Sequence, residues 1–332
     1  MSLAESVLGG DRLALARLLT QVENETAEGQ AALDLLFAHT GRAHLIGVTG
    51  APGTGKSSLV NQLALQFRKA GQRVAIVAID PSSPFTGGAV LGDRVRMRDL
   101  AGDTGVFIRS MASRGSLGGL AQATAGVVQV FDAAGFEIIL IETVGAGQSE
   151  VDIARLAHTT LVVEAPGLGD DIQAIKAGIL EIADILVINK ADRPGVESSE
   201  RALKSMLDLA HPVAHTFQHH GQTLEVIAPD SPAPQLWIPP IQRTVATDGT
   251  GLPELVEALR GHAAHLRQSG EWFSRERARL EAEFELLVRE TLLARFRASV
   301  SEANLNQTLE SIQKRQLSPR QAVNGLLQGG AQ

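Results

Sequence analysis

The stretch Gly50-Ala51-Pro52-Gly53-Thr54-Gly55-Lys56-Ser57 limits what this chain can fold into more than any other. Its glycines, lysine and hydroxyl stand at the spacing of a phosphate-binding loop, G-x-x-x-x-G-K-[ST]. The flanks suit that loop. An apolar run, Leu45–Val48, ends just before it, and helix-spaced residues run from Ser57 to Ala70, ahead of Gly71. Glycines let backbone N–H groups turn inward around a phosphate chain, and a helix start adds partial positive charge. Lys56 is placed to reach the β- and γ-phosphates, and the Ser57 hydroxyl to ligate Mg2+. The expected phosphate contacts are Gly50, Ala51, Pro52, Gly53, Thr54, Gly55, Lys56, Ser57 and Ser58.

A strand that feeds such a loop belongs to a parallel sheet, and the rest of the chain agrees. Apolar runs at Val74–Ile79, Val106–Ile108, Ile138–Ile141, Leu161–Val163 and Ile185–Ile188, with a further strand at Ile241–Val245, alternate with helical spacing. The helices are expected at Leu117–Ala134, around Asp171–Ile182 and at Pro253–Leu266. Near-continuous apolar strands alternating with helices predict an α/β fold of the P-loop nucleoside-triphosphatase kind, a mostly parallel sheet flanked by helices. Residues 1–40 read as an N-terminal helical extension in two apolar stripes, with Asp11 as an N-cap. Residues 41–268 form the nucleotide domain. Residues 269–332 read as a C-terminal helical arm, with an amphipathic stretch at Trp272–Phe296 and shorter helices near Glu302–Gln313 and Pro319–Leu327. The arm is expected to cover its apolar stripe with a second copy or a partner. His211–Pro240 interrupts the alternation with six prolines and four histidines. His211, His215 and His219 are four apart and His220 is adjacent, but Pro212 and the lack of neighbouring acids favour exposed loop histidines over a metal site.

Composition removes several classes. The chain has no cysteine, so disulfides and thiolate chemistry are excluded and a reducing cytoplasmic setting is expected. The charge of −7, without a basic block, disfavours nucleic acid as a partner. The apolar runs are too short to span a bilayer, so no membrane association is expected.

Further acids and a base-reading motif extend the site. Asn189-Lys190-Ala191-Asp192 directly follows an apolar strand. The Asp192 carboxylate can accept from the guanine N1–H and exocyclic amine, donors that adenine lacks, so GTP and GDP are the expected nucleotides. Glu142 ends the Ile138–Ile141 strand, at a tip where an acid can hold Mg2+ through water, its extra methylene relative to Asp favouring that indirect contact, and the Gly145 N–H can sense the γ-phosphate. Asp80 ends another strand and Asp93 lies in the loop beyond it. Ser57, Asp80, Asp93 and Glu142 can therefore converge on one hard cation. Many GTPases orient the attacking water with a glutamine, but Ala146 stands at that place here. Intrinsic hydrolysis is thus expected to be slow, with Gln148, Lys176 and Arg94 as the candidates to assist it.

Taken together, these motifs resemble the MeaB/ArgK/MMAA family of P-loop GTPases. The resemblance lies in Val48–Val60, Asp80–Ser83, Thr86–Gly88, Leu91–Arg94, Glu142–Glu150, Pro166–Gly178, Asn189–Asp192 and Trp237–Pro240, and it covers most of the chain. It implies a Mg2+-dependent GTPase chaperone. Such a protein gates cofactor loading and protects or reactivates an adenosylcobalamin-dependent acyl-CoA mutase, of the methylmalonyl-CoA mutase type. It also implies a homodimer built on the C-terminal arm, with Gly145–Glu150 as one switch segment and Pro166–Lys176 as another that senses the partner. On that resemblance Lys56, Glu142, Gly145, Gln148 and Lys176 carry catalysis, and Ala246 and Thr247 join Asn189, Lys190 and Asp192 around the base. Two rivals stay open: a nickel- or cobalt-insertion GTPase, against which the lack of cysteine argues, and a transport-associated ATPase or kinase, against which Asn189–Asp192 argues.

Overall fold

The computed structural model describes residues 2–81, 97–100, 102–113, 119–143, 149–167, 181–210, 218–219, 222–223 and 236–329. The chain divides into two compact units, Met1–Glu276 and Arg277–Gln332.

Three helices open the first unit: α1 (Leu3–Leu8), α2 (Arg12–Glu23) and α3 (Ala27–Leu36). Each begins on a side-chain cap. Ser2 accepts from Glu5 N in a capping box, Asp11 accepts from the N–H groups of Leu13 and Ala14, and Thr26 accepts from Gly29 N. The Ser2 box accounts for the helix that the two expected stripes did not contain.

The sheet follows. Its strands are β1 (His44–Thr49), β2 (Val74–Pro81), β3 (Val106–Ser113), β4 (Ile138–Thr143), β5 (Thr159–Glu164), β6 (Ile185–Asn189) and β9 (Ile241–Thr244). They lie in the order β3-β2-β4-β1-β5-β6-β9, and every neighbouring pair is parallel. The connecting helices described are α4 (Lys56–Lys69), α5 (Gly119–Ala133), α6 (Ser149–Leu156), α7 (Val196–Ala210) and α8 (Leu252–Ser269). Two short antiparallel strands, β7 (Gln218–His219) and β8 (Gln222–Thr223), fall inside the proline-rich interruption. Helix α9 (Glu271–Ser299) runs from the first unit into the second, which continues with α10 (Glu302–Gln313) and α11 (Pro319–Gly329). Among the described residues no helix is long and apolar enough to cross a membrane.

Strand alternation divides the core between the two sheet faces. Leu45, Ala75, Val77, Ile79, Ile139 and Ile141 pack with Leu18, Leu19, Leu36 and Phe131 on one face. Ile46, Val48, Ile76, Leu140, Val163 and Val187 pack with Leu59, Leu63 and Phe67 of α4 and Leu255 and Leu259 of α8 on the other. Each buried Val, Leu, Ile or Phe among them contributes about 1.5–3 kcal/mol by leaving water. The Asp132 carboxylate of α5 accepts from the N–H groups of Gly41, Arg42 and Ala43 at 2.6, 3.2 and 3.0 Å. It thereby fixes the entry into β1. Strand β3 is longer than its apolar signature, which ends at Ile108. Arg109 extends it because its guanidinium pairs with Glu23 of α2, a partner supplied only by the tertiary fold.

A polar network closes the sheet edge where the strands begin. His44 Nε2 lies 2.7 Å from Thr159 Oγ1, which lies 2.9 Å from His262 Nδ1. His262 Nε2 is 3.3 Å from Asp184 Oδ1. Arg275 of α9 donates through both terminal nitrogens to the two Asp184 oxygens, at 2.8 Å each. Trp272 stacks on His158 with ring centroids 3.9 Å apart. Burial, followed by the charges of His262 and Arg267, lowers the His44 pKa from 6.5 to about 3. Burial alone would raise Asp184, but contacts from His262 and Arg275 override it and hold the carboxyl at about 2.

These shifts set the acid response. Below pH 6.5 the unfolded chain protonates His44 while the folded chain stays neutral there until about pH 3. Stability therefore falls with falling pH across that window, by up to about 1.4 kcal/mol per pH unit from this group. Asp184 adds a loss only between its ordinary 3.8 and about 2. Urea titrations of wild type and His44→Gln at pH 7, 6 and 5 should show a shallower pH dependence in the variant; equal slopes would contradict the assignment.

Candidate functional site

At the opposite edge, where the strands end, β1 runs into the phosphate loop and the loop into α4. Two glycines there are required by close approach. Gly50 has φ +135°, and a Cβ on it would lie 2.1 Å from Val163 O. Gly55 has φ +93°, and a Cβ on it would lie 2.5 Å from Asn189 Nδ2. With glycine at the N-cap, no side chain caps the first turn of α4, so its N–H groups are left to the loop. Lys56 is buried, and its Nζ donates to Gly50 O at 2.7 Å and Ala51 O at 3.0 Å. The ammonium thus sits inside the loop, at the place from which it can meet phosphate oxygens. Thr54 is buried, while Pro52, Gly53 and Ser58 are exposed.

Ser57 Oγ donates to Glu142 Oε1 at 2.6 Å, and both residues are buried. The register Val48↔Glu142 explains the meeting, because it brings the β4 tip level with the β1 residue two places before the loop. Both groups are hard oxygen donors of the kind Mg2+ takes, so the pair fits that ion by its chemistry. The register Ala78↔Glu142 brings the backbone of Asp80 to the same sheet edge. The side chain of Asp80 lies outside the described residues, as do Asp93, Arg94, Gly145, Gln148 and Lys176. Of the histidine group, His211, His215 and His220 also lie outside them; His219 falls in β7, its side chain undescribed.

The base side is built around Asn189, at the end of β6. Its Nδ2 donates to Thr54 O in the phosphate loop at 2.9 Å. Its Oδ1 accepts from Ala246 N at 3.1 Å and from Thr244 Oγ1 at 3.2 Å. Ala246, expected beside the base, donates its N–H to Asn189 and so helps hold the tie. Thr247, next to it, is exposed. Lys190 adopts φ +57°, and its Nζ donates to Gly53 O at 2.5 Å. Asp192 is exposed two residues on, so its carboxylate is open to a ligand. Sequence reading missed Thr244. The available signal was strand alternation, which turns the last residue of β9 toward β6, where Asn189↔Thr244 are paired.

A model of the methylmalonyl-CoA mutase-associated GTPase MeaB matches residues 15–301. The chain belongs to the MeaB family of GTPases. A GTPase relative in Pyrococcus abyssi is 42% identical over 325 residues, covering 98% of this chain and 95% of the relative. The mouse mitochondrial methylmalonic aciduria type A homolog is 31% identical over 283 residues, 85% of this chain and 64% of that protein. A solved structure described as a LAO/AO transport system kinase aligns with a TM-score of 0.68 at 26% identity, covering 98% of this chain and 95% of the other. Membership of this family implies a guanine nucleotide and hydrolysis of GTP.

The close approach at Gly55 yields a sharp test. Gly55→Ala should force Asn189 away from Thr54 and weaken GDP binding by about 100-fold or more, as calorimetry would measure. Retained affinity would mean that the tie is dispensable.

Proposed function

We propose that this MeaB-family GTPase serves as a chaperone that gates adenosylcobalamin loading of an acyl-CoA mutase, of the methylmalonyl-CoA mutase type, and protects or reactivates it. The observation that carries the nucleotide half of this reading is the Asn189 amide, which joins the phosphate loop to the base-reading segment that ends in Asp192. The mutase half is supported by the family description and by the name of the mouse relative. The kinase label on the solved structure suggests a transport role, but the Asn189–Asp192 segment argues for guanine rather than adenine.

On this reading the loop N–H groups and Lys56 bind the phosphates, with the Lys56 ammonium leaving its loop carbonyls for phosphate oxygens. Ser57 and Glu142, joined by Asp80 and Asp93, would hold Mg2+, which would supply positive charge to offset that on the phosphate oxygens. Water attacks the γ-phosphorus, the bond to the β–γ bridging oxygen breaks, and GDP departs with that oxygen. Gln148, Lys176 and Arg94 are the candidates to orient the water or steady the developing charge. Bound GTP holds the switch segments through γ-phosphate contacts and hydrolysis releases them, so the output is a conformational signal to the mutase.

We assign the C-terminal helices to a homodimer contact. In the second unit Phe284, Leu292, Leu309, Val323 and Leu327 are all exposed, an apolar surface a second copy would cover. The setting we infer is cytoplasmic.

Two measurements test the reading. Asp192→Asn removes the acceptor for the guanine amine, so GTP affinity should fall by about 100-fold and the preference over ATP should collapse. An unchanged preference would refute the base assignment. The isolated protein should turn over GTP well below one per second and accelerate when a methylmalonyl-CoA mutase is added; several turnovers per second alone would refute the need for a partner.

A further inference from the structure

Beside the Ser57–Glu142 pair lies a second polar feature that the phosphate loop does not use. The sheet register places Ser110, Ala78, Glu142 and Val48 in one row across β3, β2, β4 and β1. Residues paired in register share a face, so Ser110 lies on the face that Glu142 presents to α4. Two strand spacings separate them, about 10 Å at the backbone, and the residue between is only alanine. Helix α4 packs over this part of the sheet. Asn61 stands one turn beyond Ser57 on that helix, about 6 Å along its axis.

Two buried oxygens on this side of the sheet have no hydrogen-bond partner among the described residues. Asn61 is 5% exposed, and its Nδ2 faces Asp99 Oδ2 at 3.4 Å. A carboxylate only accepts, so the amide nitrogen must take that side and Oδ1 must face away from Asp99. Asn61 Oδ1 is buried without a hydrogen-bond partner among the described residues, and so is Ser110 Oγ. Buried polar atoms are normally satisfied, so buried oxygens without a described partner, on the same sheet face as a hard-oxygen site, point to ordered water. Mg2+ dehydrates reluctantly and keeps several waters, whose outer partners tune its affinity.

We propose that Asn61 and Ser110 are positioning residues for the metal, holding the water shell around an ion carried by Ser57 and Glu142. The proposal rests on the reading of those two residues as metal ligands given above. It assigns no chemistry to Asn61 or Ser110 themselves; both act through water on the ion.

The experiment uses the full chain with GDP and Mn2+ as an EPR-visible probe, with Mg2+ as competitor. Ser110→Ala and Asn61→Leu should each weaken Mn2+ binding to the GDP complex by about ten-fold and alter the Mn2+ line shape. In EDTA, GDP affinity should be unchanged, and Ser110→Ala should not lower the melting temperature, because the hydroxyl has no hydrogen-bond partner among the described residues. If Ser110→Ala leaves Mn2+ affinity unchanged, or only lowers the melting temperature in EDTA, the proposal is overturned, whatever happens to Asn61→Leu. Ser57→Ala and Glu142→Gln serve as the parent controls. If neither weakens Mn2+ binding, the metal reading itself fails; if they weaken it while Ser110→Ala does not, only the present inference fails.

Discussion

The Asn189 side chain spans three segments that are far apart in sequence. One end donates to the Thr54 carbonyl in the phosphate loop, and the other accepts from Thr244 at the end of β9 and from Ala246 just after it. Its amide orientation is fixed because the Ala246 N–H and the Thr54 carbonyl leave only one assignment of nitrogen and oxygen. Gly55 must lack a side chain for this contact to form. The distance between the phosphate cradle and the base-reading segment is therefore set by a buried amide, where water does not compete and hydrogen bonds are strong.

Strand β6, which carries Asn189 at its end, is also pinned where it begins. Asp184 precedes its first residue, and its carboxylate accepts from Thr160 N and bidentately from Arg275. Its carbonyl accepts from Trp237 Nε1. A carboxylate this buried is tolerable because it is paired and hydrogen-bonded on both oxygens. The result is a five-residue strand with no slack at either end. The first residues of α9, Trp272 and Arg275, belong to this network and so to the nucleotide-binding unit. The unit boundary accordingly falls after Glu276 rather than at the junction of α8 and α9.

Much of this was legible in the residues. The loop, the acids at strand tips and the Asn189–Asp192 segment follow from spacing, because phosphate and base chemistry need those groups in that order. The apolar strands were legible because a parallel sheet covered on both faces leaves few polar positions. Reading failed where a tertiary partner changes what a residue costs. Arg109 continues β3 only because Glu23 neutralises it. Thr159 opens β5 only because His44 and His262 satisfy its hydroxyl. Neither compensation is local, so neither could be read from a window of sequence.

The amino-acid sequence by itself determined the chemistry on offer: a phosphate-loop pattern, a carboxylate at Asp192, oxygen-bearing residues at Ser57 and Glu142, and the alternation that makes a parallel sheet. These are local, because each depends on residue type and spacing along a few residues. Only the tertiary structure decided which groups meet. It put Ser57 against Glu142, turned the Ala246 N–H to Asn189, and left buried oxygens of Asn61 and Ser110 without a partner among the described residues. The reason is that strand register and helix packing set distances between residues that are tens to hundreds of positions apart, and hydrogen bonds form only within about 3 Å.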